Sequence, residues 1–227
     1  MDKIYDSLGL KESATQKLKD YSRLLVEWNE KMNLTAITDE GEIAIKHFAD
    51  CLTLCDLPEL KGRVIDIGTG AGFPGMVLKI AKPELDITLL DSLNKRLIFL
   101  EALSNEIKAP VTLVHERAED GVKRNGFREG FDTAVSRAVA SLNILSELCL
   151  PYVKVGGYFL AMKGPNAEEE LIGAKEIIKT LGGKIDRVEN LTFNNMTRNI
   201  VIIRKIAQTP SKYPRNMSKI KKLYEKS

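Results

Sequence analysis

The sequence contains no apolar run near the roughly 18 residues that a membrane-crossing helix needs. Its first residues, MDKIYDSLGLKES, lack a basic stretch followed by a continuous apolar one, so no secretory signal is read. Cysteine is scarce: Cys51, Cys55 and Cys149, an odd number in 227 residues, argue against a disulfide framework and for a reducing, cytoplasmic setting. Histidine is scarcer still. His47 and His115 stand in ligand spacing with no cysteine, and two thiols on one helical face, Cys51 and Cys55, do not close a tetrahedral site, so no metal is expected. Aromatic residues are 6% of the chain, which leaves Tyr213 and Tyr224 as the candidates for stacking on bases. There is no internal repeat and no low-complexity block.

Charge, by contrast, is abundant and uneven. From Arg204 onward eight Lys/Arg face one acid, a net +7, so the preceding chain carries −4 within an overall +3. A solvated basic tail and a polyanionic partner at the C-terminal end both account for that asymmetry.

The hydrophobic pattern changes its period near Gly62. Before it, Leu18, Tyr21, Leu24, Leu25, Trp28 and Met32 recur at helical spacing, NLTAIT breaks the pattern, and a second helical stretch covers roughly 40–54. After it, short apolar runs (RVIDI, ITLL, VTLVH, FDTAVS, YFLAMK) alternate with helical segments near 75–82, 93–108, 141–152 and 167–181. KIDRVENL and NIVIIRK follow as a hairpin-like pair across FNNMTR. Alternation with short links predicts an α/β fold: a mostly parallel seven-stranded sheet, helices on both faces, an antiparallel final pair and an N-terminal helical extension. The expected organisation is a helical segment at 1–60, an α/β body at 61–206 and a basic tail at 207–227.

RVIDI runs into GTGAGFPG, the first strand-to-helix turn, where such sheets hold nucleotide-containing cofactors. Glycine lets the backbone turn sharply and approach a ligand with no Cβ in the way. The register Gly70-x-Gly72-x-x-Gly75 matches the dinucleotide fingerprint, but that match alone is weak. Asp66 ends the strand just before the loop, where a carboxylate suits an ammonium and a sulfonium better than a pyrophosphate. Pro74 offers no N–H to an anion. S-Adenosylmethionine therefore fits better than NAD. Asp91, 21 residues after Gly70, is placed to accept ribose hydroxyls, and capping the next helix is its other reading. The turn after the third strand puts Ala118 and Glu119 toward the adenine, although Glu119 also reads as a surface residue.

Taken in order, DIGTGAGFPG, LLDSLNKRLIFLE, HERAED, FDTAVSRAVASL and LCLPYVKVGGYFLAMKG resemble the bacterial small-subunit ribosomal RNA methyltransferase G family, also called glucose-inhibited division protein B. WNEKMNLTAIT, KHFADCL and KYPR are similar to its other signatures, so the resemblance runs from about residue 20 to 215. It implies a class I methyltransferase fold, S-adenosylmethionine as donor, and methylation of guanine N7 in 16S rRNA near the decoding region. By position, the family's cofactor-binding residues fall on Gly68, Phe73, Ala118, Glu119 and Arg137. One departure stands out: where the family commonly follows YPR with a glycine-and-proline turn, this chain reads Asn216-Met217-Ser218.

The chemistry can be questioned separately. Methyl transfer to guanine N7 needs a positioned lone pair and no general base. Methylation of a pyrimidine carbon would need a nucleophilic cysteine, but Cys149 lies within a helical apolar pattern and reads as core. Exocyclic-amine methylation through an Asn-Pro-Pro-aromatic clamp is excluded, because that place reads SRAV. Arg137 suits either guanine O6 or the methionyl carboxylate, and a structural ion pair is its bland reading. Phosphate contacts are expected from Lys163, Lys212, Arg215, Lys219, Lys221 and Lys222, with Lys46 and His47 as further RNA-contact candidates. Partners would be 16S rRNA, the 30S subunit or an assembly intermediate, met by a monomer. Removing the chain after Gln208 should weaken RNA methylation and leave cofactor affinity alone. Competing readings are a methyltransferase for another RNA, a protein or a small molecule, a non-catalytic RNA partner, and an NAD-dependent oxidoreductase. The last lacks a Tyr-x-x-x-Lys or His–Asp pair for hydride chemistry.

Overall fold

Strands buried on both faces must alternate their side chains between two cores, and the sheet here does so residue by residue. The computed structural model describes residues 2–137, 140–193 and 196–224. Ala138 and Val139 of the SRAVASL block, Asn194 and Asn195 of the FNNMTR connection, and Glu225 and Lys226 of the basic end lie outside the described residues.

Helices α1 (Asp2–Asp6), α2 (Glu12–Met32), α3 (Glu40–Ile43) and α4 (Asp50–Leu52) precede β1 (Arg63–Ile67). Then come α5 (Gly75–Ala81), β2 (Asp86–Asp91), α6 (Asn94–Glu106), β3 (Thr112–His115), α7 (Ala118–Gly121), β4 (Phe131–Arg137), α8 (Leu142–Cys149), β5 (Val153–Lys163), α9 (Ala167–Thr180), β6 (Gly183–Phe193), β7 (Met196–Lys205) and α10 (Met217–Tyr224). The spatial order is β3-β2-β1-β4-β5-β7-β6, with β1 to β5 paired in parallel and β7 antiparallel to both neighbours. The chain winds outward from β1 toward β3, then returns to β4 on the other side. That reversal opens a crevice at the carboxyl ends of β1 and β4.

Val64, Ile87, Leu89, Val135, Leu160, Ile200 and Ile202 join one core with α2, α5, α6 and the N-terminal helices. Their strand neighbours Ile65, Leu90, Ala134, Phe159, Val201 and Ile203 join the other core, with α8, α9 and α10. The N-terminal helices therefore share a core with the sheet and do not form a body of their own. Leu18, Tyr21 and Leu25, one stripe of α2, are fully buried in it.

The sequence reading places the main strands and long helices correctly and misses three short helices, α1, α7 and α10. It also misses the inner character of β7, which lies between β5 and β6. The stretch after α3 is helical as expected but irregular. Ala44–Ala49 is a π-helix, a widening that often accompanies functional sites, and Thr53–Asp56 is a tighter 3₁₀ turn. The basic end does not hang free. Arg128 donates to the carbonyls of Thr209 (2.8 Å), Pro210 (3.2 Å) and Tyr213 (2.9 Å). Ile220 of α10 is fully buried against the second core.

Trp28, the single tryptophan, lies on α2 beside Phe99, 5.8 Å between ring centroids. Because α2 and the sheet share one core, Trp28 fluorescence and far-UV circular dichroism should report the same urea transition. Leu25→Ala should lower stability by about 2–5 kcal/mol while keeping the two probes coincident.

Candidate active site

The glycine loop is held from beneath. Asp66, with no exposed surface, accepts through Oδ2 from Thr69 Oγ1 (2.7 Å) and from the backbone N–H of Gly75 (2.8 Å), so one oxygen ties the two ends of the loop together. Gly75 must lack a side chain here, since a Cβ would stand 2.3 Å from Leu89 and 2.9 Å from the Asp66 carboxylate. Tyr21 of α2 closes the loop from the other side, donating from its hydroxyl to the Ala71 carbonyl and stacking on Phe73 at 5.4 Å. Gly68, Gly70 and Gly72 all adopt positive φ, and a Cβ on Gly70 would meet nothing within 4 Å. The loop thus presents bare backbone to open space.

That space is a cavity of about 1130 Å³ at the carboxyl ends of the strands. Gly68, Gly70, Phe73, Asp91, Ala118, Glu119 and Arg137 all line it, as the sequence reading expects of cofactor residues. Asp66 does not. Its position fits the reading, but it acts from behind the loop; its Oδ1 has no hydrogen-bond partner, and burial raises its carboxyl to about 6. Asp91, almost wholly buried at the end of β2, accepts through Oδ2 from Gly70 N–H (2.9 Å) and Arg96 (3.1 Å), and through Oδ1 from Leu93 N–H (2.9 Å). The proposed ribose acceptor is therefore oriented by the loop it serves. Tyr152 steadies the next turn by donating to the Ala118 carbonyl at 2.6 Å. Glu119 accepts from the backbone N–H of Met217 at 3.2 Å, a contact nothing in the sequence announces.

The opposite end is built by the N-terminal helices. Asn29 turns the chain after α2, its Oδ1 accepting from the N–H groups of Leu34 (2.6 Å) and Thr35 (2.9 Å), with Asn33 left-handed at φ 50°. Thr35 then meets His47 Nε2 at 3.0 Å. His47 Nδ1 lies 3.2 Å from an Arg137 Nη, which only donates, so Nδ1 accepts and Nε2 carries the proton. Burial and the neighbouring Arg137 push this imidazole down to about 4. Arg137 also pairs with the buried Asp50 at 3.0 Å and lies over the Phe73 ring at 4.8 Å; Arg198 of β7 reaches the other Asp50 oxygen at 3.0 Å. Asp50 thereby clamps the N-terminal helices to β4 and β7. It stands in KHFADCL, a block read as characteristic, but no spacing rule marks a single acid there as a two-arginine anchor.

The basic residues divide into two groups. Lys46 borders the cavity, paired with Glu42 at 2.7 Å, and Lys221 also lines it; Lys212, Lys219 and Lys222 are exposed. Two of the expected phosphate contacts are engaged within the protein. Lys163 also lines the cavity, but it is buried and committed to the Ala140 carbonyl and Glu170, both at 2.7 Å, so it fixes the chain after β4. Arg215 is a tether: its backbone N–H and Nε each donate at 2.8 Å to Oε1 of Glu147, a fully buried carboxylate. His47, being neutral, adds no positive charge for RNA. Among the described residues no group of acids, histidines and cysteines is placed to hold a metal, and no helix is long and apolar enough to cross a membrane. Burial raises the Cys51 thiol to about 12 and Cys149 well above its usual range, so neither is a poised nucleophile.

Solved methyltransferases share this architecture at low identity. Magnesium protoporphyrin IX methyltransferase from Synechocystis PCC 6803, solved with bound SAM, superposes with a TM-score of 0.55 at 12% identity, covering 81% of this chain and 97% of that one. Precorrin-6y C5,15-methyltransferase from Geobacter metallireducens gives 0.51 at 19% identity, covering 69% and 87%. The sequence relatives are far nearer. Ribosomal RNA small subunit methyltransferase G of Alkaliphilus oremlandii is 50% identical over 94% of this chain and 91% of its own length. That of Clostridium beijerinckii is 50% identical over 98% and 96%. Residues 14–201 match the family described as rRNA small subunit methyltransferase G, and with near-full-length relatives at half identity the chain belongs to that family.

Proposed function

We propose that this protein transfers the methyl group of S-adenosylmethionine to N7 of a guanine in 16S rRNA near the decoding region. The observation that carries the reading is the cavity where a bare glycine backbone, Asp91 and the Ala118–Glu119 turn converge, in a chain of this family. The residues fit the donor. Gly70 leaves room for it, Asp91 suits its ribose, and the unpartnered Asp66 oxygen favours a cation nearby. When bound, S-adenosylmethionine supplies an electrophilic methyl on a sulfonium.

What remains for the chain is positioning and exclusion of water. Guanine N7 offers a lone pair and carries no proton. That agrees with a cavity lined by one imidazole, neutral and tied by hydrogen bonds, and by no cysteine among the described residues. Arg137 reaches the cavity from β4 beside Phe73 and His47, where its guanidinium can take the methionyl carboxylate. Exposed Lys212, Lys219 and Lys222 provide phosphate contacts. The substrate would be the 30S subunit or an assembly intermediate, met in the cytoplasm by a monomer.

Labelled donor incubated with 30S subunits should place one methyl group on a guanine of 16S rRNA, located by mass mapping; label on protein or small molecules only would overturn the reading. Gly70→Val, which adds a branched side chain at a φ of 61° and fills donor space, should abolish donor binding by calorimetry, as should Asp91→Ala. A third expectation concerns pH. The folded protein holds the Asp66 carboxyl at about 6, above its ordinary value of 3.8, so this group's contribution to stability is full at low pH and is lost as pH rises through 6. Binding of a cation runs the other way. Affinity for S-adenosylmethionine should rise about fivefold from about pH 5 to about pH 7, a coupling near 1 kcal/mol. Asp66→Asn should flatten that dependence.

A further inference from the structure

The C-terminal helix occupies an unexpected place. Asn216 starts α10 as its cap, its Oδ1 accepting from Lys219 N–H at 3.0 Å. The first helical N–H, that of Met217, goes to Glu119 at 3.2 Å, inside the turn assigned to the adenine. Met217 and Lys221, four residues apart and so on one face, both line the cavity. Lys219 and Lys222 point to solvent, and Ile220 is buried in the second core. The approach to the helix is fastened twice: Arg128 binds three backbone carbonyls of 209–213, and Arg215 is sunk onto Glu147 between the rings of Tyr213 (5.2 Å) and Tyr224 (5.8 Å). A segment held by a fully buried carboxylate, with a cavity-lining residue at its start, is part of the pocket wall.

We infer that α10 completes the adenosine subsite and that Met217 is a donor-positioning residue. This rests on the donor reading above, and it reverses the expectation that loss of the C-terminal end leaves cofactor affinity untouched. Met217 offers an unbranched, polarizable side chain beside the place assigned to the adenine. Its backbone also fixes the Glu119 carboxylate, so the helix acts on the subsite both directly and through the turn after β3. The opposite face carries the exposed lysines. One helix therefore touches donor space on one side and is open to RNA phosphate on the other, and any RNA contact that steadies it must strengthen donor binding by the same factor that donor strengthens RNA binding.

The test is calorimetry with S-adenosylhomocysteine on the intact chain, on a chain ending at Asn216, and on Met217→Ala, which keeps the helix and the backbone bond to Glu119. The shortened chain retains Arg215 and its tether, and circular dichroism checks its fold. Expected is a loss of affinity of about tenfold, some 1.4 kcal/mol, on truncation, with a smaller loss in Met217→Ala. A double variant, Lys219→Gln with Lys222→Gln, should raise the KM for 30S subunits and keep the intact affinity for S-adenosylhomocysteine. Equal affinity of the intact chain, the shortened chain and Met217→Ala would overturn the inference while leaving the donor reading in place. An intact chain that does not bind S-adenosylhomocysteine would overturn the donor reading and this inference together.

Discussion

One carboxylate oxygen, Oδ2 of Asp66, carries the hydrogen bonds from both ends of the glycine loop, Thr69 at its start and Gly75 at the first turn of α5. Much else in the site follows from that attachment. With the loop pinned, Gly70 can give its N–H to Asp91, which fixes the carboxylate at the tip of β2. With Asp91 fixed, Arg96 and Leu93 N–H have a defined partner and α6 begins where it does. A buried acid with an unpartnered second oxygen is costly by itself, and that cost is the kind of local tension that a cationic ligand relieves.

The N-terminal helices act as a second support for the same loop. Tyr21 reaches across from α2 to the Ala71 carbonyl and lies flat on Phe73, and the Asp50 clamp brings His47 and Arg137 against the same ring. A 1–60 segment separate from the body is therefore an organisation by sequence order more than by packing, since residues from both sides of Gly62 fill one core. The π-helical turn at Ala44–Ala49 precedes Asp50 directly and sets the face on which His47 and Asp50 meet Arg137.

Legibility in the sequence varied with the range of the interaction. Strands and long helices were readable because periodicity is local, and Asp91 was readable because a βα unit fixes its distance from the glycine loop. Gly68, Gly70, Phe73, Ala118, Glu119 and Arg137 were named partly from the family blocks, and the cavity they line joins them in space. The partners that fix them were not readable. Asp50 with Arg198, Glu147 with Arg215 and Glu119 with Met217 lie 148, 68 and 98 positions apart, and no spacing rule reaches so far. The internal partners of Lys163 and Arg215 are hidden for a related reason: a sequence displays a charge but not the acid that answers it. The seam around α10 was invisible because eight residues rich in lysine read as a solvated end.

The strand order has a consequence for synthesis. Since β7 lies between β5 and β6, the sheet cannot close in chain order, and the strand emitted last belongs in its interior. Until residues near Lys205 have left the translating ribosome, β5 presents an open edge carrying Phe159, Leu160 and Ala161, all fully buried in the finished protein. An open apolar edge of that kind is prone to pair with a neighbouring chain. A polypeptide arrested before β7 would thus be the aggregation-prone species of this protein, and chaperone occupancy should fall once β7 has emerged.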